Sequence, residues 1–299
     1  MVTNPVDELI ELSNKILTLG PSHFQDASGW SFALPLLATQ QYRKALLWLS
    51  DAGGQMGLLQ ATHMGLALSH AGIVVKDLGR TDSADDTVAS LVVAYSSLLL
   101  SSRGSLVAMD YLVRIPNEVR ARKEIARLIA DSGELDQLAG TITRDGKRQG
   151  GALSELFAPK EVSAILAIAA QLASAKKDDL QKTANAVTCL MLAERYGDLI
   201  VLLNTLLSPP DKPDKNREFW VTQVVCFHHH YTDQQTHVTE VLNAEGKKSL
   251  IETSRMLLDL NTLFDRIRQG HPSAECWNFC QTPGPKSFPR NFYIAGWIL

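Results

Sequence analysis

Cysteine is scarce in this chain, which has four among 299 residues, and only Cys276 and Cys280 stand close together. The other two, Cys189 and Cys226, are isolated along the sequence. Thiols scattered in this way form neither a paired disulfide framework nor a double CxxC zinc site. We therefore expect reduced cysteines, as in proteins of the cytosol or the nucleus.

An excess of one charge is also missing, because 29 basic and 32 acidic side chains leave a formal charge of -3. No broad field attracts the chain to nucleic acid or to an anionic membrane. Apolar runs such as Leu199–Leu203 are far shorter than the roughly 20 residues that a membrane span needs. The N-terminal residues lack the basic and apolar regions of a secretory signal. These absences predict a soluble protein with no direct contact to nucleic acid and no membrane insertion.

Motifs for phosphate binding and for nucleophilic catalysis are absent as well. The glycine pairs Gly53-Gly54 and Gly150-Gly151 lack the lysine and hydroxyl of a P-loop and the strand context of a dinucleotide fold. No G-x-S-x-G elbow occurs, and Ser105 stands at a predicted helix start, where serine usually serves as a cap. We expect no catalytic residue, no cofactor and no small-molecule substrate.

The histidine run His228-His229-His230, with Asp233 and His237, is the group most suggestive of a metal site. Adjacent helical residues point about 100° apart, so three consecutive histidines cannot share one metal. Only His230, Asp233 and His237 could converge on one helix face. We favour a partly exposed polar face, and metal binding at these three residues is the alternative. Nothing near Cys276 and Cys280 completes the four ligands of a tetrahedral metal site.

The densest group of basic residues lies on or beside one predicted helix, with acidic residues mixed into it. No aromatic side chains interleave these charges, as stacking on nucleic-acid bases would require. A solvated helix face is therefore the better interpretation. The basic members are Arg114, Arg120, Arg122, Lys123 and Arg127, and the acidic ones are Glu118 and Glu124.

Helical periodicity is what the chain has in abundance. The first segment has Asn4 and Pro5 ahead of apolar residues at helical spacing and ends at Gly20, which predicts a capped amphipathic helix. Aromatic residues at helix-face spacing predict a core that contains Trp48, Tyr95, Tyr111, Tyr196 and Phe264. The same apolar pattern predicts further helices over Gln40–Leu49, Leu58–Ala71, Val88–Leu100, Leu106–Ile115, Glu118–Ala130, Glu134–Ile142, Val162–Ala173, Leu180–Arg195, Asp198–Leu207, Val221–Leu242 and Leu250–Gln269.

Short connections that carry glycine or proline join these helices, as at Arg103-Gly104, Ser132-Gly133 and Tyr196-Gly197. Short links place consecutive helices in antiparallel pairs. The glycines do not recur at a fixed interval, so neither a tetratricopeptide nor an ankyrin array fits. The fold class we predict is all-α, an irregular α-solenoid of stacked antiparallel helix pairs, like the scaffold elements of coat proteins.

Two polar stretches near residues 76–86 and 209–216 predict exposed loops within one solenoid segment that covers residues 1–280. The rest, residues 281–299, contains three prolines and has no helical period. We therefore expect an irregular, proline-rich tail there.

Seven segments stand in the order expected for one known family. They run from Gly20 to Trp277, and their weight comes from ordered co-occurrence, because each segment alone is a generic helix. Together they resemble the nucleoporin-interacting-component (Nic) family, the adaptor scaffold nucleoporins of the nuclear pore inner ring. The segments are GPSHF, LLATQQYRKALLWL, ATHMGLALSHAGIV, VVAYSSLLLSSRGSLVAMDYLVRIP, LIADSGELDQLAGTITRDGKRQGG, CLMLAERYGDLIVLLNTLLSP and LLDLNTLFDRIRQGHPSAECW.

The resemblance implies a folded-back α-solenoid that serves as a surface for other inner-ring nucleoporins, such as the small membrane-linked adaptor. Family members are considerably longer, and their coiled-coil and linear-motif region has no counterpart here. The tail after about Trp277 also departs from the family, in which helices continue.

The function we expect is that of a non-catalytic structural component of the nuclear pore complex at the nuclear envelope. Such a component supports inner-ring assembly, and hence transport of protein and mRNA between nucleus and cytoplasm. One alternative is a helical-repeat binding module of a vesicle coat or an assembly factor, since all of these share the same solenoid physics. The other is a metal-dependent helical enzyme centred on His230, Asp233 and His237.

Overall fold

A computed structural model describes residues 5–24, 29–73, 86–143, 147–175, 179–208, 216–229 and 236–268. The chain forms two compact units, Met1–Glu134 and Leu135–Leu299. Most of the two predicted polar loops, and the whole of the predicted tail at 281–299, lie outside the described residues. The division into residues 1–280 and 281–299 therefore stays a prediction.

The first unit is built from helices that pack on their neighbours in the sequence, as α2 does on α3, α3 on α4, α4 on α5 and α5 on α6. A single turn of 3-10 helix, Pro21–His23, follows the first helix. The helices are α1 (Pro5–Leu19), α2 (Trp30–Ala38), α3 (Tyr42–Ala52), α4 (Gly54–His70), α5 (Thr87–Arg103), α6 (Ser105–Leu112) and α7 (Glu118–Asp131).

Glycine sets the distance between α3 and α4. A methyl group added to Gly57 would lie 2.1 Å from the carbonyl oxygen of Leu49, which is a backbone atom that cannot turn away. Further along α4, a methyl group on Gly65 would meet only side-chain methyls of Leu46 and Val88, at 3.3 Å. The two helices therefore touch backbone to backbone at Gly57, and the side chain of Leu49 is completely buried.

Helix α2 was not predicted from the sequence. Pro35 lies inside it and has no N–H to donate to the preceding turn. Its buried residues Phe32 and Leu36 pack in a cluster that also contains Ile16 and Ala45, and Ala33 is buried as well. The helix is short and largely apolar, so the polar face that reveals an amphipathic period is missing.

Several helices end in a left-handed residue that reverses the chain. At the end of α2 the amide of Gln41 donates to the carbonyl of Leu36, and at the end of the helix Leu180–Leu192 the amide of Arg195 donates to that of Leu190. The left-handed residues at these two ends are Gln40 and Glu194, with φ of 57° and 56°. Glycine usually occupies this position because other residues pay a steric cost there.

The second unit is also mainly helical and has one short hairpin. Helix α10 packs on α11, α11 on α12, and α12 on both α13 and α15. Its elements are α8 (Leu135–Leu138), β1 (Gly140–Ile142), β2 (Arg148–Gly150), α9 (Ala152–Leu156), α10 (Pro159–Ser174), α11 (Leu180–Leu192), α12 (Tyr196–Leu207), α13 (Arg217–Phe227), α14 (Thr236–Ala244) and α15 (Lys248–Arg268).

The helix predicted over Glu134–Ile142 was wrong beyond its first turn. Residues Gly140–Ile142 instead pair antiparallel with Arg148–Gly150. Gly140 has φ of 103°, and a side chain there would lie 2.1 Å from the carbonyl oxygen of Gln149. The glycines of this segment therefore permit two backbones to meet, which helical periodicity does not reveal.

The connection predicted at Tyr196-Gly197 was also misplaced. Helix α12 begins at Tyr196, and the turn before it is formed by Ala193, Glu194 and Arg195. Gly197 lies inside the helix, where an added methyl group would meet the side chains of Lys247 and Glu245 at about 2.5 Å. This glycine provides space for a neighbouring ion pair.

Polar side chains join α12, α13 and α15. Asn261 of α15 accepts a hydrogen bond of 2.6 Å from Arg217 of α13 and donates one of 3.3 Å to the carbonyl of Leu207 in α12. Asn204 donates to the carbonyl of Leu250 at 3.1 Å. These bonds lie in the interior, where they are strong and directional, so they fix how α15 is rotated against its neighbours.

The predicted fold class, an all-α solenoid of stacked helix pairs, is confirmed. Most predicted helices match observed ones within a few residues. The predicted helix over Val221–Leu242 corresponds to α13 and α14, and residues 230–235 between them lie outside the described part. Of the five predicted core aromatics, Tyr95 and Tyr196 are buried, whereas Trp48, Tyr111 and Phe264 are only partly buried.

Candidate interaction surfaces

The histidine run lies partly in the described residues. His228 is buried, with its Nε2 2.9 Å from the hydroxyl of Ser254, and His229 is exposed. His230, Asp233 and the side chain of His237 fall outside what is described. The metal-site alternative at these three residues is therefore untested, and the bond to Ser254 gives His228 a packing role between α13 and α15.

No group of three or more side chains that could together hold a metal ion occurs among the described residues. Cys189 is fully buried, and burial raises the pKa of its thiol to about 12. A thiol with so high a pKa is a poor nucleophile and a poor metal ligand at neutral pH. Cys226 is partly exposed, and Cys276 and Cys280 lie outside the described residues.

The basic group on α7 is neutralised largely by its own acidic neighbours. Glu124 is only 3% exposed, and it lies 2.8 Å from Nε of Arg120 and 2.5 Å from a guanidinium nitrogen of Arg127. The Arg120 contact is close enough for an ion pair, although its angle is too bent for a hydrogen bond. Arg122 pairs with Glu118 at 3.1 Å. This geometry agrees with a solvated helix face and offers no row of free cations to phosphates.

Ser105 does not cap α6 as the sequence predicted. Gly104 precedes the helix, with φ of 90°, and makes no side-chain cap. The carboxylate of Glu134 accepts instead from the amide of Ser105 at 3.3 Å and from its hydroxyl. An anionic group at a helix N-terminus is stabilised by the orphan amides there, so the cap comes from a residue after α7.

A shallow groove of about 630 Å³ runs along α4 in the first unit. Tyr111, beside it, has its hydroxyl 2.9 Å from Nε2 of His63, and the two rings lie nearly parallel. Burial raises the pKa of Tyr111, and the adjacent Tyr95 adds to the shift, so the hydroxyl remains protonated. The guanidinium of Arg114 in the lining pairs with the carboxylate of Asp110 at 3.2 Å, so the groove does not select a ligand by charge. Its residues are His63, Leu66, Ala67, Ser69, His70, Arg114 and Pro116.

Exposed apolar side chains are the other surface feature that the sequence did not reveal. Val119 is 75% exposed at the start of α7, and Met256 is 65% exposed on α15. Isolated apolar residues on a surface are normal, whereas a row of them on one element indicates a contact. In the part of the chain that is described, no helix is both long and apolar enough to cross a membrane.

Comparison with known proteins gives a consistent result. The family model described as Nup93/Nic96 matches residues 4–278. The nuclear pore complex protein Nup93 of Danio rerio is 25% identical over 286 residues, which cover 88% of this chain and 33% of that protein. Nucleoporin NIC96 of Saccharomyces cerevisiae is 26% identical over 213 residues, which cover 67% of this chain and 24% of that protein. The chain thus spans about a third of the length of the Nup93 relatives it matches.

A solved structure gives the same fold. The crystal structure of Chaetomium thermophilum Nic96 SOL superimposes with a TM-score of 0.54 at 17% identity, and the match covers 93% of this chain and 47% of that one. At this identity the match shows a common fold.

Proposed function

We propose that this chain, which belongs to the Nup93/Nic96 family, is a non-catalytic scaffold segment of the nuclear pore complex. The observation that carries the proposal is the family match over residues 4–278, nearly the whole chain. The stacked helices of both units support it, because most of their residues serve packing and not a reaction centre. A segment of this kind acts by presenting rigid helix faces to other proteins.

Its partners, on this proposal, are other nucleoporins of the inner ring, and its place is the nuclear envelope. Holding neighbours at fixed positions maintains the channel through which protein and mRNA pass. The paired charges on α7 and the near-zero net charge of the chain support protein partners over nucleic acid. Small-molecule substrates and direct membrane insertion form no part of this function.

Two alternatives have less support. A module of a vesicle coat or an assembly factor would use the same helical packing, but the relatives named above are nuclear pore proteins. A metal-dependent enzyme would need His230, Asp233 and His237 to converge, and the buried thiol of Cys189 adds no reactive group.

Localisation in cells tests the proposal. The chain carries a fluorescent tag and is expressed in cells from a close relative of its source, and nucleoporins are then measured among the proteins that purify with it. We expect a rim at the nuclear envelope and enrichment of inner-ring nucleoporins. A folded chain that is diffuse or marks vesicles, without nucleoporins, would contradict the proposal.

Two substitutions on α7 provide a matched control. Val119 is 75% exposed and Ile125 is fully buried, so Val119→Asp keeps the fold whereas Ile125→Asp places a charge in the core. We expect the Val119 variant to remain at the rim and the Ile125 variant to lose it. Equal rim signals from both variants would show that the rim signal does not depend on the folded unit.

A further inference from the structure

The turn that joins α11 to α12 contains a strained residue. Glu194 has φ of 56°, in the left-handed region where glycine is usual because a side chain has a steric cost there. Such a residue persists only where the surrounding structure holds it. The carboxylate of Glu194 lies 2.8 Å from the guanidinium of Arg148 in β2, and β1 of the same hairpin packs on α11. The side chain that a glycine would lack therefore ties the hairpin to this turn.

Helix α12, which follows the turn, is tied to a second distant segment. Asp198, in its first turn, lies 2.6 Å from Arg195 and 3.7 Å from Lys247, which lies between α14 and α15. Lys247 also pairs with Glu245 at 2.9 Å, and this hydrogen bond is the main cause of the raised pKa of Lys247. Charges of alternating sign thus run from the turn after α11 to the turn after α14.

Gly197 makes room for this second tie. It is buried in the first turn of α12. A methyl group added there would lie within about 2.5 Å of Nζ of Lys247 and of a carboxylate oxygen of Glu245. Both side chains therefore lie directly against the backbone of α12, which brings Lys247 close to Asp198.

We propose that these two ties form an ionic clasp, which makes the order of the hairpin and of the α14–α15 turn depend on ionic strength. The six side chains are between 34% and 55% exposed, so dissolved ions reach them and screen their attraction. The buried bonds of Asn204 and Asn261, by contrast, hold α15 itself on α12. Salt should therefore loosen the two tied segments while the helices stay packed. The members of the clasp are Arg148, Glu194, Arg195, Asp198, Glu245 and Lys247.

Hydrogen exchange of the full chain tests this inference, which goes beyond the nuclear pore assignment and does not depend on it. The reporters are the amides of Thr143 and Gly151 at the hairpin and those of Gly246 and Lys247 at the α14–α15 turn, all of which donate to backbone carbonyls. Protection is expressed relative to the unfolded chain at the same salt concentration. Raising NaCl from about 0.1 to about 1 M shortens the screening length from about 10 to about 3 Å.

We expect the protection of both segments to fall roughly two- to fivefold over this range, which is the effect of losing a partly exposed ion pair. The core of α12 between Leu199 and Leu203, where both residues are buried, should keep its protection. This difference separates loosening of the tied segments from unfolding of the unit.

Two substitutions remove one tie each and serve as matched controls for each other. Glu194→Gln should lower protection at the hairpin alone, and Lys247→Gln should lower it at the α14–α15 turn alone. Glutamine is compatible with the left-handed conformation, since Gln40 adopts it with φ of 57°. In each variant the segment that has lost its tie should also lose its response to salt.

A double variant tests whether Asp198 acts through Lys247. Asp198→Asn alone should lower protection at the α14–α15 turn, whereas in the Lys247→Gln background it should change that protection no further. Additive losses would show that the two residues act separately and would remove Asp198 from the clasp.

Two results would overturn the proposal as a whole. One is equal protection of the tied segments in the wild type and in both single variants at low salt. The other is a fall in protection that includes the core of α12, because salt or substitution would then loosen the whole unit and not the tied segments.

Discussion

Replacing Gly57 with alanine should separate α3 from α4 and destabilise the first unit. In an open helix this change adds about 1 kcal/mol of stability, since alanine favours helix more than glycine does. Here the new methyl carbon would lie 2.1 Å from the carbonyl oxygen of Leu49. An ordinary contact needs more than 1 Å of additional space, and both partners belong to helix backbones. The helices must therefore move.

The size of the effect follows from what that movement disturbs. Leu49 of α3 is fully buried and its backbone forms the contact, and a gap of 0.5–1 Å already removes about a quarter to a half of the dispersion attraction between the two helices. Overpacked cores typically lose about 1–3 kcal/mol. After the gain in helix preference, we expect a net loss of about 2 kcal/mol in the free energy of unfolding.

Urea unfolding, followed by circular dichroism, measures this loss, and Gly65→Ala is the matched control on the same helix. A methyl group at Gly65 meets only side-chain methyls at 3.3 Å, which can shift by a few tenths of an ångström. We expect this variant to be as stable as the wild type or slightly more so. A Gly57 variant no less stable than the Gly65 variant would refute the reasoning that backbone contact fixes the spacing.

Three further predictions concern single residues. Gln40→Gly should raise the free energy of unfolding by about 0.5–1 kcal/mol, because glycine adopts the left-handed turn without strain; an unchanged urea midpoint would contradict this. Glu124→Gln should lower the free energy of unfolding by about 1–2 kcal/mol, because the buried carboxylate loses its charge. The loss is no larger because the arginines that pair with it still reach water. Equal thermal stability would contradict this. Burial raises the pKa of Cys189 from an ordinary 9.0 to about 12. From about pH 9 upward the unfolded chain therefore loses the thiol proton while the folded chain keeps it, so stability is full below pH 9 and falls as the pH rises toward 12. The folding constant should fall by up to about tenfold per pH unit in this range. Cys189→Ala should flatten that decline, and a decline of the same slope in both proteins would assign it to other groups.

The helices could be predicted from sequence where one face is apolar and the other polar. That condition holds for α7, whose observed limits, Glu118–Asp131, differ from the predicted ones by one residue. It fails for α2, because the helix is nearly all apolar and contains Pro35. It fails also at Gly140, where a long-range backbone contact with Gln149 forms a hairpin from residues that a helical pattern also accepts.

The surfaces were harder to predict than the helices. Sequence reasoning proposed no binding residues, and only the structure shows that Met256, Leu260 and Ile267 of α15 are exposed. The apolar spacing of three and four residues along α15 was present in the sequence, but the same spacing would describe a wholly buried helix. The cap of α6 was missed for a different reason, because Glu134 is 29 residues from Ser105 and no local rule connects them.

That distant cap also bears on the order in which the chain folds during synthesis. Helix α6 is complete by Leu112, yet the carboxylate that satisfies its first amide arrives only with Glu134, the last residue of the first unit. Until that residue has left the ribosome, the N-terminus of α6 relies on water for its hydrogen bonds. The first unit can therefore assemble most of its helices as they emerge, whereas α6 receives its final stabilising contact only when translation reaches the boundary of the second unit.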